Sequence, residues 1–337
     1  MNERVYVQTN DAERNEVIAF DRSADGRLSP LGTYDTGGRG TGKPHLASQS
    51  SVVLSEDGAW LLVANAGSDE LSLFAVEPDG LRLSARAPSG GSAPTSVAVR
   101  DDLVYALNNG TPDINGFKLS DGLTPLEGSA RALGADADPA QVSFSPDGRT
   151  LVVTERGTNS ISAFAVDERG YAEGPETIPS SGATPYGFDF ADGAVVVTEA
   201  FGGEVGKAAA SSYALAGPGR LAPVSPSVAD TRSEVCWAAA THDGRFVYVT
   251  NFGDGTISSY AVHEGGSIEL LEPVAASTRF GEAGVRDEAI SRDGRFLYAI
   301  DADAQRVFGW NVEEDGRLEP VGEFEGVPAT VAGLAAS

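Results

Sequence analysis

Short runs of alternating apolar and polar residues recur along the chain, and an Asp-Gly turn or a close relative precedes most of them. Successive turns are separated by about 45 to 50 residues, a spacing typical of the one-blade repeat of β-propellers. The runs are rich in β-branched and aromatic residues, which predicts strands. The turns are Glu56-Asp57-Gly58, Arg100-Asp101-Asp102, Pro146-Asp147-Gly148, Ala191-Asp192-Gly193, His242-Asp243-Gly244 and Arg292-Asp293-Gly294.

Each repeat predicts four antiparallel strands. An inner strand precedes the turn, as at residues 141–145, and a second strand follows it, as at residues 246–251. A third strand comes after a short polar loop, as at residues 257–262, and a weaker fourth strand completes the unit, as at residues 318–321. The pattern therefore predicts an all-β fold made of repeated four-stranded blades.

The two ends of the chain share one blade in this interpretation. Residues 4–8 resemble a second strand without an inner strand before them, and residues 330–335 supply that strand. Such closure removes the exposed edges of an open ring. We therefore predict a seven-bladed β-propeller, closed by a C-terminal strand in the N-terminal blade, and one domain over residues 1–337 because no long Pro, Ser or Gly linker interrupts it.

Composition and charge narrow the partners and the compartment. The formal net charge of −25 opposes binding to nucleic acid and to anionic membranes. No apolar run approaches a membrane span, and the polar start lacks the apolar core of a signal peptide, so a cytoplasmic location is expected. The single cysteine, Cys236, excludes an intrachain disulfide. A monomer is the expected state.

Three stretches depart from the repeat, at residues 37–49, 202–211 and 225–234, and they predict surface loops of the kind that carry function. At the end opposite the Asp-Gly turns, the residues before each inner strand and after each second strand should converge on one mouth. No Gly-rich phosphate loop, Gly-x-Ser-x-Gly elbow or metal-ligand spacing occurs, so no cofactor is expected and no spacing indicates a metal site. A metal ion held by acidic loops around the channel stays an open alternative.

The mouth combines charges of both signs with carboxamides and aromatic rings, which suits a small polar molecule. Arginines can hold an anion, and a carboxylate can transfer protons. An Asn or Asp after a second strand has a structural alternative, since its side chain can bond the following turn. The candidate catalytic residues are Glu155, Arg156, Glu199 and Arg286. The candidate substrate-binding residues are His45, Asn109, Gln141, Tyr186, Trp237, Asp287 and Asn251.

The blade sequences resemble the seven-bladed lactonase family, which includes propeller-type 6-phosphogluconolactonases and carboxymuconate lactonising enzymes. The resemblance covers nearly the whole chain and rests on motifs such as Ser-Pro-Asp-Gly-Arg at residues 145–149 and Asp-Gly-Arg-Phe at residues 243–246 and 293–296. The family pattern has a histidine before the inner strand of the fourth blade, where this chain has residues 138–141. The family carboxylate after the next strand corresponds to Glu155.

The resemblance implies hydrolysis or formation of a small lactone, carboxylated or derived from a sugar. Arg156 or Arg286 would bind its anionic group, and Glu155 or Glu199 would transfer the proton. The alternative is a propeller without catalytic activity that binds a small ligand or a protein partner, because the fold alone does not determine function. Clustered charges of both signs at the mouth favour the enzyme.

Overall fold

The computed structural model describes residues 3–43 and 46–337. Their strands form seven sheets, and every pair of neighbouring strands within a sheet is antiparallel. Blade one contains β1 (Arg4–Gln8), β2 (Glu16–Arg22) and β3 (Leu28–Asp35). Blade two contains β4 (Val52–Leu54), β5 (Trp60–Asn65), β6 (Glu70–Glu77) and β7 (Gly80–Pro88). Blade three contains β8 (Pro94–Arg100), β9 (Leu103–Asn108), β10 (Asp113–Leu119), β11 (Leu123–Pro125) and β12 (Arg131–Ala132).

Blades four and five contain β13 (Pro139–Phe144), β14 (Thr150–Glu155), β15 (Ser160–Val166), β16 (Ala172–Pro179); and β17 (Pro185–Ala191), β18 (Ala194–Glu199), β19 (Ala209–Leu215), β20 (Leu221–Ala229). Blades six and seven contain β21 (Val235–Ala240), β22 (Phe246–Asn251), β23 (Thr256–Val262), β24 (Ile268–Ser277); and β25 (Val285–Ile290), β26 (Phe296–Asp301), β27 (Arg306–Val312), β28 (Leu318–Glu325). The last strand is β29 (Ala332–Ala336).

The predicted seven-bladed propeller and its closure are confirmed. Strand β29 pairs with β1 and becomes the inner strand of blade one, so the order in that sheet is β29-β1-β2-β3. In blade three the outer strand is divided, and both β11 and β12 pair with β10. Within the described part of the chain, no helix is long and apolar enough to span a membrane.

The Asp-Gly turns share one set of hydrogen bonds. In blade four the Ser145 hydroxyl donates to the Asp147 carboxylate at 2.6 Å, and the backbone N–H of Arg149 donates to the same oxygen at 3.1 Å. Gly148 follows with a φ of 70°, a left-handed conformation that glycine adopts without steric cost. Equivalent side-chain bonds occur at Asp57, Asp243 and Asp293. The recurring dipeptide therefore encodes the turn itself.

The core lies between neighbouring blades. Leu62 and Leu73 of blade two pack in one buried cluster with Val104 and Phe117 of blade three. Similar clusters join blades three and four and blades six and seven. Since successive strand residues point to opposite faces, each sheet buries both faces against its neighbours and holds the inner strands around a central axis.

Candidate active site at the mouth of the propeller

A cavity of about 300 Å³ lies at the end of the propeller opposite the Asp-Gly turns, between blades four and seven. We call it the mouth pocket. Three of the residues predicted from sequence, Arg156, Tyr186 and Arg286, line it together. Its walls consist of Arg156, Thr184, Tyr186, Ala200, Gly202, Gly203, Glu234, Cys236, Phe252 and Arg286. Gly202, Gly203 and Glu234 belong to two of the loops that depart from the repeat.

Arg156 follows strand β14 and is fixed by the segment before strand β13. Its Nη2 donates to the Asp138 carboxylate at 2.7 Å, and its Nε donates to the Asp138 carbonyl at 3.2 Å. Asn109 donates to the same carboxylate at 3.1 Å and to the Pro139 carbonyl at 3.0 Å. Asn109 therefore lies behind the pocket wall and positions Asp138, which in turn positions Arg156.

Arg286 provides the second cation of the mouth pocket. It lies on strand β25 of blade seven, and its side chain is buried with the guanidinium carbon 4.9 Å from the centroid of the Phe252 ring. Burial lowers the pKa of this guanidinium, although the nearby carboxylates Asp303 and Asp287 oppose the shift. An arginine remains charged after such a shift, so the pocket holds a partly desolvated positive charge.

Tyr186 lines the pocket together with the two arginines. The guanidinium carbon of Arg156 is 5.0 Å from its ring centroid, and the positive charge of Arg286 also acts on its hydroxyl. The residue is 3% exposed, and its hydroxyl has no hydrogen-bond partner among residues 3–43 and 46–337. Burial raises the pKa of Tyr186 well above its usual value, so the phenol keeps its proton. Because buried polar groups normally have hydrogen-bond partners, an unpaired hydroxyl in a pocket wall needs a functional explanation.

Glu234 is the acidic residue of the pocket wall, and the sequence prediction missed it. Burial raises the pKa of its carboxyl, while the positive charge of Arg286 opposes the shift. Its backbone φ of 56° is left-handed, as are those of Asp138 and Thr184, which directly precede the inner strands of blades four and five. Its position directly before strand β21, at the end of an irregular loop, is the signal that could have identified it.

Cys236 lines the same pocket but is a poor nucleophile. Burial raises the pKa of its thiol, and the negative charge of Glu234 adds to the shift. Its Sγ donates weakly to the Glu234 carbonyl at 3.5 Å. Because the thiolate is the reactive form, this cysteine serves as an apolar part of the wall.

Glu155 and Asn251 occupy equivalent positions at the ends of their second strands, and both lie in networks inside their own blades. Glu155 accepts hydrogen bonds from Ser162 and Thr158, and Asn251 donates to Ser258 at 2.8 Å. The same offset of seven residues connects Asn65 to Ser72 in blade two. Glu155 therefore connects two strands of its blade, as the Asn at the same position does in other blades. Neither Glu155 nor Asn251 belongs to the described wall of the mouth pocket.

Glu199 is also placed in a structural network, despite its prediction as a catalytic residue. Its carboxylate is fully buried and accepts hydrogen bonds from the Gly182 N–H at 2.7 Å and the Ser211 hydroxyl at 2.6 Å. Ser180 and Ser227 complete the shell. These four donors connect the carboxylate to the strands of blade five and to the segment before it, and Glu199 is not among the residues of the described pocket wall.

Three further predicted residues, Gln141, Trp237 and Asp287, lie outside the wall of the mouth pocket. Gln141 bonds the backbone of Phe188, through its Oε1 at 2.7 Å and its Nε2 at 3.0 Å. Trp237 is buried, with its ring edge against Tyr186 and a centroid distance of 5.5 Å, so it supports the pocket from behind. Asp287 lines a second cavity on the axis. His45 lies outside the described residues.

The chain belongs to the family described as "Lactonase, 7-bladed beta-propeller", which its sequence matches over residues 6–128, 123–205 and 222–333. A comparison of the sequence with curated proteins found no match.

Solved structures share the fold at low sequence identity. The periplasmic gluconolactonase PpgL of Pseudomonas aeruginosa is 18% identical with a TM-score of 0.76, over 100% of this chain and 99% of that one. A candidate 6-phosphogluconolactonase of Bacteroides uniformis is 21% identical with a TM-score of 0.73, over 99% and 100%. A functionally unknown protein of Desulfotomaculum acetoxidans is 13% identical with a TM-score of 0.76, over 100% and 99%. At these identities the similarity shows the fold.

Proposed function

We propose that this protein hydrolyses a small anionic lactone in the mouth pocket. The observation that carries the proposal is that two arginines, the buried Tyr186 with its unpaired hydroxyl, and Glu234 line one pocket. Membership of the lactonase family supports the reaction class. The pocket volume of about 300 Å³ suits a compact substrate, and its two cations favour one that bears a carboxylate or phosphate.

Each residue has a distinct role in this mechanism. Arg156 and Arg286 bind the anionic group and fix the lactone ring, and the Tyr186 hydroxyl donates to the carbonyl oxygen as negative charge develops there. Glu234 accepts a proton from the attacking water while the water oxygen bonds to the carbonyl carbon. When the ring C–O bond breaks, Glu234 returns the proton to the departing ring oxygen, giving a hydroxy acid.

The test is acid release from phosphorylated sugar lactones, aldonolactones and carboxylated muconolactones, followed with a pH indicator. Glu234→Gln should reduce kcat by about 100-fold or more, in line with the usual contribution of a general base. Tyr186→Phe should reduce kcat by about tenfold to 100-fold with little change in KM, because its hydrogen bond strengthens as charge develops. Glu204→Gln is the matched control, since Glu204 is an exposed carboxylate of the adjacent loop.

Glu155→Gln distinguishes the structural assignment from the sequence-based one. The hydroxyl network of Glu155 predicts a less stable protein that still turns over substrate, whereas a catalytic Glu155 predicts the loss assigned here to Glu234. If the panel binds with Arg286-dependent affinity but no acid is released, the protein is a binding scaffold and the hydrolase proposal fails.

A further inference from the structure

A second and larger cavity opens at the end of the Asp-Gly turns and follows the axis of the propeller. We call it the axial well, and its volume is about 660 Å³. Its described wall shares no residue with that of the mouth pocket. Gln49 of the well wall connects two blades, because its backbone N–H donates to the Ala140 carbonyl of blade four and its side chain bonds the backbone of Ala238 in blade six.

The charged groups of the axial well are almost all acidic. Five carboxylates and one imidazole line it, and no lysine or arginine occurs among its described lining residues. The ionisable residues are Asp189, Asp192, His242, Asp243, Asp287 and Glu288. Carboxylates facing one low-dielectric cavity focus a negative potential, which attracts cations.

Glu288 occupies a position that other blades reserve for apolar residues. In strand β25 it pairs with Ala299, two residues before the end of the second strand. The residues at the same register in blades four, five and six are Val142, Phe188 and Ala238. A carboxylate therefore replaces an apolar side chain at one blade interface, where packing alone gives no reason for it.

The carboxylate of Glu288 is buried, and no hydrogen bond from the described residues compensates for its lost contact with water. The residue is 5% exposed, and neither oxygen has a hydrogen-bond partner in the described ranges 3–43 and 46–337. Burial raises its pKa well above the usual value, and the nearby negative charges of Asp189 and Asp287 add to the shift. A carboxylate in these surroundings lacks a positive partner.

The two acidic neighbours of Glu288, Asp287 and Asp189, are held by hydrogen bonds, and burial raises the pKa of both. Asp287 is 3% exposed, and burial raises its pKa to about 7, although the backbone N–H of Gly333 and the Trp237 side chain stabilise the charged form. Asp189 accepts the backbone N–H of Ala240 at 2.8 Å, and burial raises its pKa too. The three carboxylates come from blades five and seven, line the same well, and the charges of Asp189 and Asp287 both act on Glu288.

We propose that the axial well binds a protonated alkylamine, with its ammonium group beside Glu288 and attracted also by the charges of Asp189 and Asp287. The wall also contains apolar side chains that can contact an alkyl chain, including Leu54, Phe190, Ile290 and Leu334. No three His, Cys, Asp or Glu side chains of the described chain are arranged as metal ligands, which favours an organic cation over a metal ion. The ammonium supplies the hydrogen-bond donors and the charge that Glu288 lacks.

The experiment uses cadaverine as the probe and its diol analogue as the uncharged comparison, by isothermal titration calorimetry at physiological ionic strength. Cadaverine should bind at one saturable site, and the diol should bind at least about tenfold more weakly because it cannot pair with a carboxylate. Glu288→Gln should weaken cadaverine binding by about tenfold or more. Asp189→Asn is the second variant, and it should weaken binding in the same direction.

Two controls separate this site from surface charge and from the mouth pocket. Glu56→Gln removes one charge from a side chain that is 67% exposed, and it should leave cadaverine affinity unchanged. Glu234→Gln should reduce kcat for lactone hydrolysis by about 100-fold or more and leave cadaverine affinity unchanged, so the failure of either proposal can be observed without the failure of the other. Equal binding of the diol, unchanged binding in folded Glu288→Gln and Asp189→Asn, or Glu288-dependent binding of calcium in place of the amine would overturn the inference.

Discussion

The guanidinium of Arg156 lies over the ring of Tyr186, with its central carbon 5.0 Å from the ring centroid, and this contact joins blade four to blade five. The same guanidinium donates from Nη2 to the Asp138 carboxylate at 2.7 Å. Arg156 is therefore positioned for an anion by an aromatic face and a carboxylate together. The orientation of this one cation depends on residues from two blades.

We expect Asp138→Asn to raise KM for the anionic lactone by about threefold to tenfold with a smaller change in kcat, because Arg156 loses its charged partner but stays in the wall. Asn109→Ala should act in the same direction and more weakly, since it positions Asp138. Steady-state kinetics measure both effects. Asp136→Asn is the control, because Asp136 is an exposed carboxylate two residues away. A fall in kcat with unchanged KM would contradict this role.

The pH profile of hydrolysis should follow the ionisation of Glu234. Burial raises the pKa of this carboxyl, and a general base must be deprotonated, so kcat/KM should increase as the pH rises through that value. Arg286→Met removes the positive charge that opposes the shift and should move the acidic limb to higher pH. Rates measured over the acid range test this, and an acidic limb that persists in Glu234→Gln would assign the titration to another group.

Cys236 should resist thiol reagents in the folded protein. Burial raises the pKa of its thiol, so little thiolate is present at pH 8, and the side chain is 4% exposed. We expect iodoacetamide to modify it at least about 100-fold more slowly in native buffer than in denaturant, with mass spectrometry as the measurement. Rapid stoichiometric labelling of the folded protein would contradict the burial of this thiol.

Stability should depend on pH through Asp230, which is fully buried between blades five and six. Burial raises its pKa to about 6, against the stabilising bonds from the Arg232 N–H and the Ser258 hydroxyl. A carboxyl whose folded pKa exceeds its unfolded value of about 3.9 binds more protons when folded, so its contribution to stability decreases as the pH rises from about 4 to 6.

Asp230→Asn removes this titration. Relative to the unmodified protein, the variant should gain on the order of 2 kcal/mol in unfolding free energy between pH 4.5 and pH 7.5. Urea denaturation at the two pH values measures the change, and subtraction cancels the titration of groups common to both proteins. A difference between the two proteins that does not vary with pH would show that Asp230 titrates at its ordinary value.

The repeated blades could be predicted from sequence because their signals are local. Asp147 and Gly148 set a turn through bonds to residues within two positions, and a strand alternates over a few residues. Such patterns depend on neighbours in the chain, so each repeat reports the same structure independently. The closure followed from counting strands, since residues 4–8 lacked an inner neighbour that the last strand could supply.

The candidate site was only partly predictable. Arg156, Tyr186 and Arg286 were found because they stand at repeat positions that face the mouth, whereas Glu234 was missed because its loop departs from the repeat. Glu155 and Glu199 were selected because they differ from the Asn of other blades. The structure gives both carboxylates hydroxyl partners inside their own sheets, and those partners come from strands that the position alone does not reveal.

The sequence by itself determined the architecture of this protein, because turn chemistry and strand alternation act over short distances along the chain. Only the tertiary structure decided which charged side chains have partners. Glu155 is bonded within its blade, while Glu288 is buried without a donor among the described residues, although both are glutamates in strands of the blades. The difference is set by groups far apart in sequence that meet only when the blades close around the axis.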